Sequence, residues 1–426
     1  MKKNVLVFPC GSEIGLAIYR SLCYSIHFNL FGGSSVQDHG EFVYKNYIGG
    51  LPYVTDADFS DKLNDVIDRQ KIDFIIPAHD DVVLALAELS AAKKLNCLVV
   101  TSPLATCQIT RSKLKTYGHL DGLIATPKVY ASARQVADRD LPVFLKPDIG
   151  QGSKDTHIAK TIEEVRLFTQ TDPSLLILEY LPGREYTVDC FTNKNGRLLF
   201  SEGRERQRIS NGISVRSSSV DDKRFGEIAH RINQRLELRG AWFFQVKEAA
   251  SGELALMEIA PRVAGTIALV LCKGVNLPLL GLFDAMGYEV DILKNHYSIT
   301  IDRALQNRYK HTIKYSHVYL DFEDVVIMDN AVNPLVMAFI YQCLNKGISV
   351  HLITKLKGDL TNTLRKYRLN GVFDELIQIG RDDHKHSYIK HKEAIFIDDS
   401  FSERKMVHDN CGIPVFDCHM IEALLE

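Results

Sequence analysis

The first hundred residues alternate apolar runs with amphipathic runs, and this order restricts the fold more than any other feature of the chain. Short strands are predicted at "NVLVFPC", "FNLFGGSS", "IDFIIPA" and "CLVVTS", with helices at "GSEIGLAIYRSL", "DKLNDVIDRQ" and "DVVLALAELSAAKKL". Strands that alternate with helices form parallel sheets with right-handed crossovers. The turn from Gly11 to Gly15 is only half of a dinucleotide fingerprint, so it does not predict a nicotinamide site.

The pattern changes twice further along the chain. Between residues 127 and 260, short strands with turn signals predict a mixed α+β region that is largely antiparallel, with helices around "FGEIAHRINQRL" and "GTIALVLCKGV". Parallel-type strands return in "HVYLDFEDVVI", "ISVHLITKL", "GVFDELIQIG" and "AIFIDDS". We therefore predict three domains, at about residues 1–110, 111–312 and 313–426, with residues 306–315 as a polar joint.

The composition excludes several classes of partner and location. A net charge of −2 gives no electrostatic reason to expect nucleic acid or a membrane surface as a partner. The sequence contains no apolar run of about 18 residues, so no transmembrane helix is predicted. The nine cysteines are scattered and odd in number, which predicts reduced thiols and a cytoplasmic location. Cys10, Cys97 and Cys190 lie in apolar segments and are predicted to be core residues.

Several charged residues interrupt or end the apolar strands of the central region. In "LMEIAPR", Glu258 lies within a strand and Arg262 follows it, and a buried charge needs a partner. The two residues could pair with each other, or Glu258 could bind a metal ion and Arg262 a phosphate. In "VFLKPDIGQGS", Lys146 precedes a glycine loop, an arrangement that suits a polyphosphate. The alternative is a hairpin with a surface lysine.

A second charged stretch, "LLILEYLPGREYTVD", contains a strand-to-turn hinge. The backbone of Glu179, Tyr180 and Leu181 could read the edge of an adenine, and Glu185 could hold ribose hydroxyl groups. A plain β-turn with carboxylates at its edge is the alternative. Further on, the stretch "RERQRISNGISVRSSS" is rich in arginine and serine and contains one glycine.

The order of these motifs resembles the ATP-grasp superfamily over about residues 1–300. The motifs are Lys113 after "TRS", "FLKP…GQGS", "EYLPGREYTVD", "FFQVK" and "MEIAPR". The resemblance is closest to carbamoyl-phosphate-synthase-like and amino-acid-ligase members, and it implies a Rossmann-like domain ahead of the ATP-grasp fold. It also implies that phosphates contact Lys113 and Lys146, and that the nucleotide and its Mg²⁺ (or Mn²⁺) are held by Gly150, Gly152, Ser153, Glu179, Tyr180, Leu181, Glu185, Gln245 and Glu258. Arg262 would steady the transferred phosphate. The stretch 204–219 follows a position that often contacts the carboxylate substrate in this family, so the resemblance makes Arg204, Arg208 and Arg216 candidates for binding that substrate, with a solvated loop as the alternative.

One departure from the family pattern weakens the implied metal site. The usual "EINPR" is replaced by "EIAPR", so Ala260 stands where an asparagine oxygen commonly completes the metal site. Gln245 supplies a neutral oxygen only. Mg²⁺ retains water molecules readily and can be held by one carboxylate together with substrate phosphates, so the implied site remains chemically feasible.

Carboxylates also follow the strands of the C-terminal region. Asp321 and Glu323 follow one strand, Thr354 ends another, and Asp398 and Asp399 end a third. The carboxyl ends of parallel strands meet at one edge of a sheet, and an all-oxygen cluster suits Mg²⁺. The order resembles the haloacid-dehalogenase-like (HAD-like) phosphohydrolases over about residues 315–426.

That second resemblance implies roles for the same residues. Asp321 would be the nucleophile and Glu323 the general acid, Thr354 would bind phosphate, and Asp398 and Asp399 would bind metal with Asp321. Lys385 would neutralise the phosphoaspartate, with Lys390 as the alternative. Glu323 replaces the usual aspartate and Val325 the usual threonine, so a domain that has lost this activity is the alternative.

The combined hypothesis is an α/β and α+β multidomain protein that consists of a Rossmann-like domain, an ATP-grasp fold and a HAD-like parallel-sheet domain. The implied activity is ATP-dependent carboxylate–amine ligation through an acyl phosphate, with a small carboxylate and an amine, such as an amino acid, as substrates and a homodimer as an allowed assembly. Two rivals remain: a nucleotide-binding regulatory protein without ligase chemistry, and a phosphatase whose ATP-grasp half recognises the substrate.

Overall fold

The computed structural model describes residues 2–150, 152 and 154–426. The chain has a mixed α/β fold and divides into two compact units, Met1–Leu305 and Gln306–Glu426. Residues 303–315 form neither helix nor strand, and the division falls within this stretch. No helix in the described parts of the chain has the length and apolar character needed to cross a bilayer.

The first unit begins with alternating strands and helices, which confirms the predicted pattern. These elements are β1 (Lys3–Phe8), α1 (Glu13–Leu22), β2 (Phe28–Gly33), β3 (Asn46–Ile48), α2 (Phe59–Gln70), β4 (Phe74–Pro77), α3 (Asp80–Ala91) and β5 (Leu98–Val99). The five strands pair in parallel in the order β3-β2-β1-β4-β5. Both faces of β1 are buried, as expected for the central strand of a parallel sheet covered by helices.

A small antiparallel sheet follows in the same unit. Its elements are α4 (Leu104–Arg111), α5 (Lys113–His119), β6 (Val129–Tyr130), β7 (Val143–Pro147), β8 (His157–Ala159), α6 (Ile162–Thr171) and β9 (Leu175–Glu179). The strand order is β6-β9-β7-β8. In β7, Val143 and Leu145 point into the core that packs on α6, so Lys146 points to the opposite face of the sheet.

A larger antiparallel sheet completes the first unit. Its elements are β10 (Glu185–Thr192), β11 (Leu198–Ser210), β12 (Ile213–Val220), α7 (Lys223–Arg235), β13 (Gly240–Glu248), β14 (Leu254–Ala260), α8 (Ala268–Cys272), α9 (Leu277–Ala285) and β15 (Thr300–Asp302). The strand order is β14-β13-β10-β11-β12-β15. The largely antiparallel character predicted for residues 127–260 is therefore confirmed. The alternative of a solvated loop over residues 204–219 is wrong, because this stretch forms the hairpin of β11 and β12.

The second unit contains another parallel sheet. Its elements are β16 (His317–Leu320), β17 (Ile327–Met328), β18 (Ala331–Val332), α10 (Pro334–Asn345), β19 (Ser349–Thr354), α11 (Leu360–Lys366), β20 (Glu375–Gln378), β21 (Ala394–Ile397), α12 (Phe401–Cys411) and β22 (Val415–Phe416). The strand order β20-β19-β16-β21-β22 places β16 at the centre, and all four pairings are parallel. The central strand therefore delivers Asp321, the next residue, to the middle of one sheet edge.

The cysteine predictions are confirmed in part. All nine cysteines are free thiols. Cys10 and Cys190 are fully buried, whereas Cys97 is only half-buried because it lies just before the short edge strand β5. Burial raises the pKa of the Cys10 thiol to about 12, so it is a core residue and not a reactive thiolate.

Candidate nucleotide site and carboxylate cluster

A cavity of about 310 Å³ in the first unit brings together the residues predicted to hold a nucleotide. It is lined by segments from both antiparallel sheets and by the start of α5. The predicted residues in its lining are Lys113, Lys146, Gly150, Gly152, Glu179, Tyr180, Leu181, Glu185, Gln245 and Glu258. Ser153, predicted with them, lies outside the described residues.

Lys113 is held at the cavity by the segment that follows β7. The Asp148 carboxylate accepts hydrogen bonds from the Leu114 backbone at 2.8 Å and from the Ser112 hydroxyl at 2.7 Å, which fixes the first turn of α5. The Lys113 Nζ then donates to the Asp148 backbone oxygen at 3.0 Å. Sequence reasoning missed Asp148, although its position directly after "FLKP" was a signal.

Lys146 is buried with 7% of its surface exposed, so the alternative of a surface lysine is wrong. Its Nζ donates to the Tyr117 hydroxyl at 3.3 Å, and that hydroxyl donates to the Met257 backbone oxygen at 2.9 Å. Burial, and then the nearby charge of Lys113, lower the pKa of Lys146 to about 8 although Glu258 and Glu185 oppose the shift. Within the described residues, no carboxylate lies within ion-pair distance of Lys146.

Gln245 and Glu258 are direct partners on neighbouring antiparallel strands, β13 and β14. Directly opposed residues have Cβ atoms about 4.5–5.5 Å apart on the same face of the sheet, so the two side-chain oxygens can approach one ion. The Glu258 carboxylate makes no ion pair or hydrogen bond with any group in the described parts of the chain. The unpaired Glu258 carboxylate and the two buried lysines, Lys113 and Lys146, together form a site that could bind a charged ligand.

Glu185 and Lys247 lie on the cavity wall as partners in the register of β10 and β13. The Arg206 Nε is 3.2 Å from one Glu185 oxygen, and the Lys247 Nζ is 4.0 Å from the other. Lys247 also lies over the Tyr180 ring, 5.9 Å from its centroid. Sequence reasoning missed Lys247 and Arg206, although Lys247 lies two residues after Gln245 and therefore on the same face of the strand.

Arg262 pairs neither with Glu258 nor with a group in the large cavity. Its guanidinium makes two hydrogen bonds to Asp80, Nε to Oδ1 at 2.6 Å and Nη2 to Oδ2 at 2.7 Å. The alternative in which Glu258 pairs with Arg262 is therefore wrong. Burial alone would raise the pKa of Asp80, but the charge and hydrogen bonds of Arg262 hold this pKa below its usual value. Asp80 and Glu258 line a smaller adjoining cavity together with Lys113.

The three arginines of the β11–β12 hairpin have different surroundings. Arg204 is buried against Asp189, with its Nε 3.3 Å from Oδ2. Arg208 forms an exposed pair with Asp302, and Arg216 is exposed. Arg204 also lies near the half-buried Glu13, whose pKa is raised by burial against the opposing charges of Arg303, Arg262, Arg206 and Arg204. Of the three candidates, only Arg204 lies within a buried cluster of charges.

In the second unit, Lys385 joins two of the predicted carboxylates. Its Nζ lies 2.9 Å from Asp321 Oδ2 and 2.6 Å from Asp398 Oδ2, and all three side chains are buried. Burial raises the pKa of Asp321 to about 7 against the opposing charge of Lys385. Ligand oxygens of Asp321, Asp398 and Asp399 all lie within 4.8 Å of one another, which suits one divalent cation.

The remaining predicted residues of this cluster differ in burial. Thr354 is fully buried at the end of β19, and its hydroxyl accepts a hydrogen bond from the Leu356 backbone at 3.0 Å. Glu323 and Asp399 are exposed, and Val325 is fully buried. Lys390, the alternative to Lys385, pairs with Glu375 at 3.2 Å. Lys385 is thus the lysine that contacts the carboxylate cluster.

Comparison with known proteins gives a family match for part of the chain. Residues 171–306 match the family described as ATP-grasp in the biosynthetic pathway with Ter operon. The chain contains an ATP-grasp domain. No curated protein sequence matches the chain.

Solved structures similar to the chain share the fold of this ATP-grasp domain. The biotin carboxylase domain of Hydrogenobacter thermophilus 2-oxoglutarate carboxylase, in complex with MgADP, ADP and bicarbonate, has a TM-score of 0.58 and 13% identity, covering 70% of this chain and 74% of that one. N5-carboxyaminoimidazole synthetase from Staphylococcus aureus with ADP has a TM-score of 0.55 and 14% identity, covering 68% and 79%. An L-amino acid ligase from Bacillus licheniformis has a TM-score of 0.53 and 14% identity, covering 67% and 74%. These similarities extend well beyond residues 171–306.

Proposed function

We propose that the unit Met1–Leu305 is an ATP-dependent carboxylate–amine ligase. The observation that carries this proposal is a pair of buried lysines, Lys113 and Lys146, at a cavity where no carboxylate of the described residues forms an ion pair with either of them. Two buried ammonium groups without an ion-pair partner are costly in the absence of an anion, and the nearby charge of Glu258 offsets this cost only in part. The phosphate chain of ATP supplies that anion, and Gly150 and Gly152 lie in the loop beside it.

The other part of the cavity fits the nucleoside. Apolar side chains of Phe144, Ile158, Leu178 and Met257 line it, and flat apolar surfaces of this kind accommodate an adenine ring. The segment Glu179–Leu181 borders the same space and presents backbone groups that can pair with the adenine edge. Glu185 would bind the ribose, sharing its oxygens with Arg206 and Lys247.

Gln245 and Glu258 would hold the Mg²⁺ that accompanies ATP, with Mn²⁺ as a substitute. Their cross-strand position and the free Glu258 carboxylate fit a hard cation that takes oxygen ligands and retains some of its water. When bound, the ion supplies positive charge that neutralises the phosphate oxygens. Ala260 is 7% exposed within the apolar core and offers no oxygen there, so Glu258 is the charged protein ligand.

The reaction follows from the arrangement of these groups. A carboxylate oxygen of the substrate attacks the γ-phosphorus of ATP, the bond to the bridging oxygen breaks, and ADP leaves. The amine nitrogen of the second substrate then attacks the acyl carbon, and phosphate leaves as the amide forms. Lys113 and Lys146 would stabilise charge on the transferring group, and Arg262, held by Asp80 at the end of β14, would add positive charge nearby. Arg204, within the charge cluster around Glu13, is the candidate for the substrate carboxylate.

The test is a screen for ADP release over pairs of amino acids and small carboxylates, followed by mass spectrometry of the product. We expect ADP release that depends on both an acid and an amine, and a product whose mass equals their sum less one water molecule. ADP release without an amine, or nucleotide binding without ADP release, would instead favour a nucleotide-binding protein without ligase chemistry.

We further propose a phosphohydrolase active site in the unit Gln306–Glu426, favoured by the bridge of Lys385 between Asp321 and Asp398. Asp321 would attack the phosphorus of a phosphate monoester, and the ester P–O bond would break as the alcohol leaves. Water would then hydrolyse the phosphoaspartate to phosphate and restore Asp321, and Lys385 would offset the charge of the carboxylates around it. Asp321, Asp398 and Asp399 would hold Mg²⁺, and Thr354 lies at the neighbouring strand end for the phosphate. Glu323 would protonate the leaving oxygen from the exposed side.

The test of this second proposal is hydrolysis of p-nitrophenyl phosphate and a panel of phosphate monoesters in the presence of Mg²⁺. Phosphate release by the native chain that is lost in Lys385→Met would support it. Hydrolysis without any ligase activity would favour the rival in which the ATP-grasp half only recognises the substrate. A lack of hydrolysis across the panel would favour a HAD-like domain without activity.

A further inference from the structure

Three histidines of the second unit bring ring nitrogens close to one another. His317 is the first residue of β16, His351 lies within β19, and His391 precedes β21 by three residues. One nitrogen from each ring lies within 4.8 Å of the corresponding nitrogen of the other two. The tightest contact joins His317 Nδ1 and His351 Nε2, which are 3.0 Å apart.

This histidine cluster is separate from the carboxylate cluster of the same sheet. His317 begins β16, whereas Asp321 follows the last residue of that strand. Four residues of a parallel strand, at about 3.3 Å per residue, place roughly 13 Å between these two backbone positions. The proposed phosphohydrolase reaction therefore does not use the histidines.

The pairing of β19 with β20 places the Glu375 carboxylate beside His351. His351 is paired with Tyr319 on one neighbouring strand and with Glu375 on the other. The His351 Nδ1 donates to Glu375 Oε2 at 2.9 Å, which leaves the Nε2 lone pair directed at His317. A histidine that donates to a carboxylate through one nitrogen while the other nitrogen binds a metal is a recurrent feature of metal sites.

A second buried group fixes His391. The Tyr319 hydroxyl accepts a hydrogen bond from the Lys390 backbone at 3.2 Å and lies 2.7 Å from His391 Nδ1. Tyr319 is fully buried, so this contact holds the imidazole by its Nδ1 side and leaves Nε2 as the ligand atom. His351 and His391 are thus each held through one nitrogen, and each retains a second nitrogen for a ligand.

We propose that His317, His351 and His391 form a binding site for one divalent transition-metal ion, with Zn²⁺ as the expected occupant. Imidazole nitrogen is a preferred ligand of Zn²⁺, Cu²⁺ and Ni²⁺ but not of Mg²⁺ or Ca²⁺. Three histidines leave a fourth tetrahedral position open for water. In the metal-free cluster a proton is shared between His317 Nδ1 and His351 Nε2, and the ion replaces that proton.

The distances require only a local adjustment. Zn²⁺ binds imidazole nitrogen at about 2.0–2.1 Å, so nitrogens bound to a tetrahedral ion are roughly 3.3 Å apart. The His317–His351 contact of 3.0 Å is close to this value. The rings of His317 and His391 are now stacked, with centroids 3.5 Å apart and planes within 7°. One of these rings must tilt, because the ion lies in the plane of each imidazole that binds it, and His391 lies outside the strands.

The test uses the full-length chain without a histidine tag, stripped of metal with a chelator and then kept in excess Mg²⁺ to saturate the carboxylate sites. Zn²⁺ is titrated against a chromophoric chelator, and Co²⁺ serves as a spectroscopic probe. We expect one Zn²⁺ per chain and a Co²⁺ absorption band typical of a four-coordinate ion with three nitrogen ligands and one water. His391→Ala should lower Zn²⁺ affinity by more than a hundredfold, and Glu375→Gln should lower it by about ten- to a hundredfold.

His408→Ala is the matched control, because His408 is an exposed histidine on α12 outside the cluster. It should bind Zn²⁺ as the native chain does. His317→Ala serves as the second ligand variant if His391→Ala does not fold. Zn²⁺ binding that is absent from the native chain, or equally tight in the folded ligand variant and the control, would overturn the proposal.

Discussion

Arg262 and Asp80, which lie 182 positions apart in the chain, form a bidentate ion pair with two hydrogen bonds. Arg262 follows β14 of the ATP-grasp sheet. Asp80 is the first residue of α3, the helix that follows β4 of the N-terminal parallel sheet. The side chains are only 11% and 16% exposed, so each charge depends on the other. The pair holds the Arg262 guanidinium near the smaller cavity, which Asp80 lines together with Glu258 and Lys113.

The first prediction concerns Asp80→Asn. This change leaves the Arg262 charge buried without its counter-charge, and breaking such a pair typically costs about 3–5 kcal/mol. We expect the free energy of unfolding to fall by about 3 kcal/mol in urea denaturation without nucleotide. ATP should recover part of the loss, since its phosphates offer Arg262 another anion.

Asp81→Asn is the control for this change. Asp81 is the next residue, half-exposed, and pairs with Arg111 at 2.5 Å. Because the Asp81 carboxylate is half-exposed, water screens the loss of its charge, so the control should lose less stability than Asp80→Asn does. Equal losses in the two variants would contradict the role given to Asp80.

The second prediction concerns Lys146→Met, which keeps the apolar stem and removes the charge. Since Lys146 is buried without a described carboxylate partner, the unliganded protein should be as stable as the native chain or more so. ATP binding should weaken by about 1.5–3 kcal/mol, the scale of one charge-assisted hydrogen bond. That is roughly a ten- to hundredfold loss in affinity, measured by calorimetry with a non-hydrolysable analogue and Mg²⁺.

Lys154→Met is a matched control for Lys146→Met, because Lys154 is an exposed lysine at the same cavity. It should weaken ATP binding less than Lys146→Met does. If Lys146→Met binds ATP as tightly as the native protein, the segment 143–150 does not bind phosphate.

The third prediction is a pH dependence of ATP binding that arises from Lys146. Its folded-state pKa is about 8, below the usual lysine value of 10.5, so between these two pH values the unfolded chain holds more protons. The group therefore destabilises the unliganded fold fully below pH 8 and less as pH rises toward 10.5. Bound phosphates favour the ammonium, so binding above pH 8 must take up a proton.

ATP affinity should therefore fall as pH rises through 8, by up to about tenfold per pH unit. Calorimetry at pH 9 in two buffers of different ionisation enthalpy measures the proton uptake directly. Lys146→Met should reduce this uptake. Proton uptake that is the same in the variant would assign the effect to another group.

The fourth prediction is that Glu258→Gln abolishes ADP formation, because it removes the charged ligand proposed for Mg²⁺. Glu253→Gln is the control, since Glu253 is exposed just before the same strand. ADP release at saturating Mg²⁺ is the measurement, with circular dichroism to verify folding. Turnover near the native rate in Glu258→Gln would remove Glu258 from the metal site.

Much of the architecture was predictable, because the spacing of apolar residues and the order of the predicted strands and helices specify it. The alternation in residues 1–100 predicts the parallel sheet, and the short strands after residue 127 predict the antiparallel ones. The predicted domain boundary at 312/313 and the observed division after Leu305 both fall close to the strandless stretch 303–315. The β11–β12 hairpin was less evident, because its polar residues have the composition of a loop.

The parts of the site that could not be predicted are the contacts between distant segments. Asp80 lies 182 residues from Arg262, and nothing local in "AHDD" indicates its partner. The same holds for Arg206 and Glu185, which meet only through the pairing of β10 and β11. Lys247 differs, because strand alternation from Gln245 was sufficient to indicate it. Local sequence patterns thus identified the charged residues of the site. Which of them pair with each other depends on strand pairing and on contacts between distant segments of the chain.

The last prediction separates the two proposed reactions. Asp321→Asn removes the proposed nucleophile of the carboxylate cluster, and the bridge to Lys385 retains a neutral oxygen in place of the charge. Hydrolysis of p-nitrophenyl phosphate should fall below detection, while ADP release by the ligase reaction should match that of the native chain. Asp324→Asn is the control, because Asp324 is exposed three residues later and makes no ion pair with the described residues. Loss of ADP release in a folded Asp321→Asn protein would mean that the two reactions depend on each other. Undiminished hydrolysis would mean that another group attacks the phosphorus.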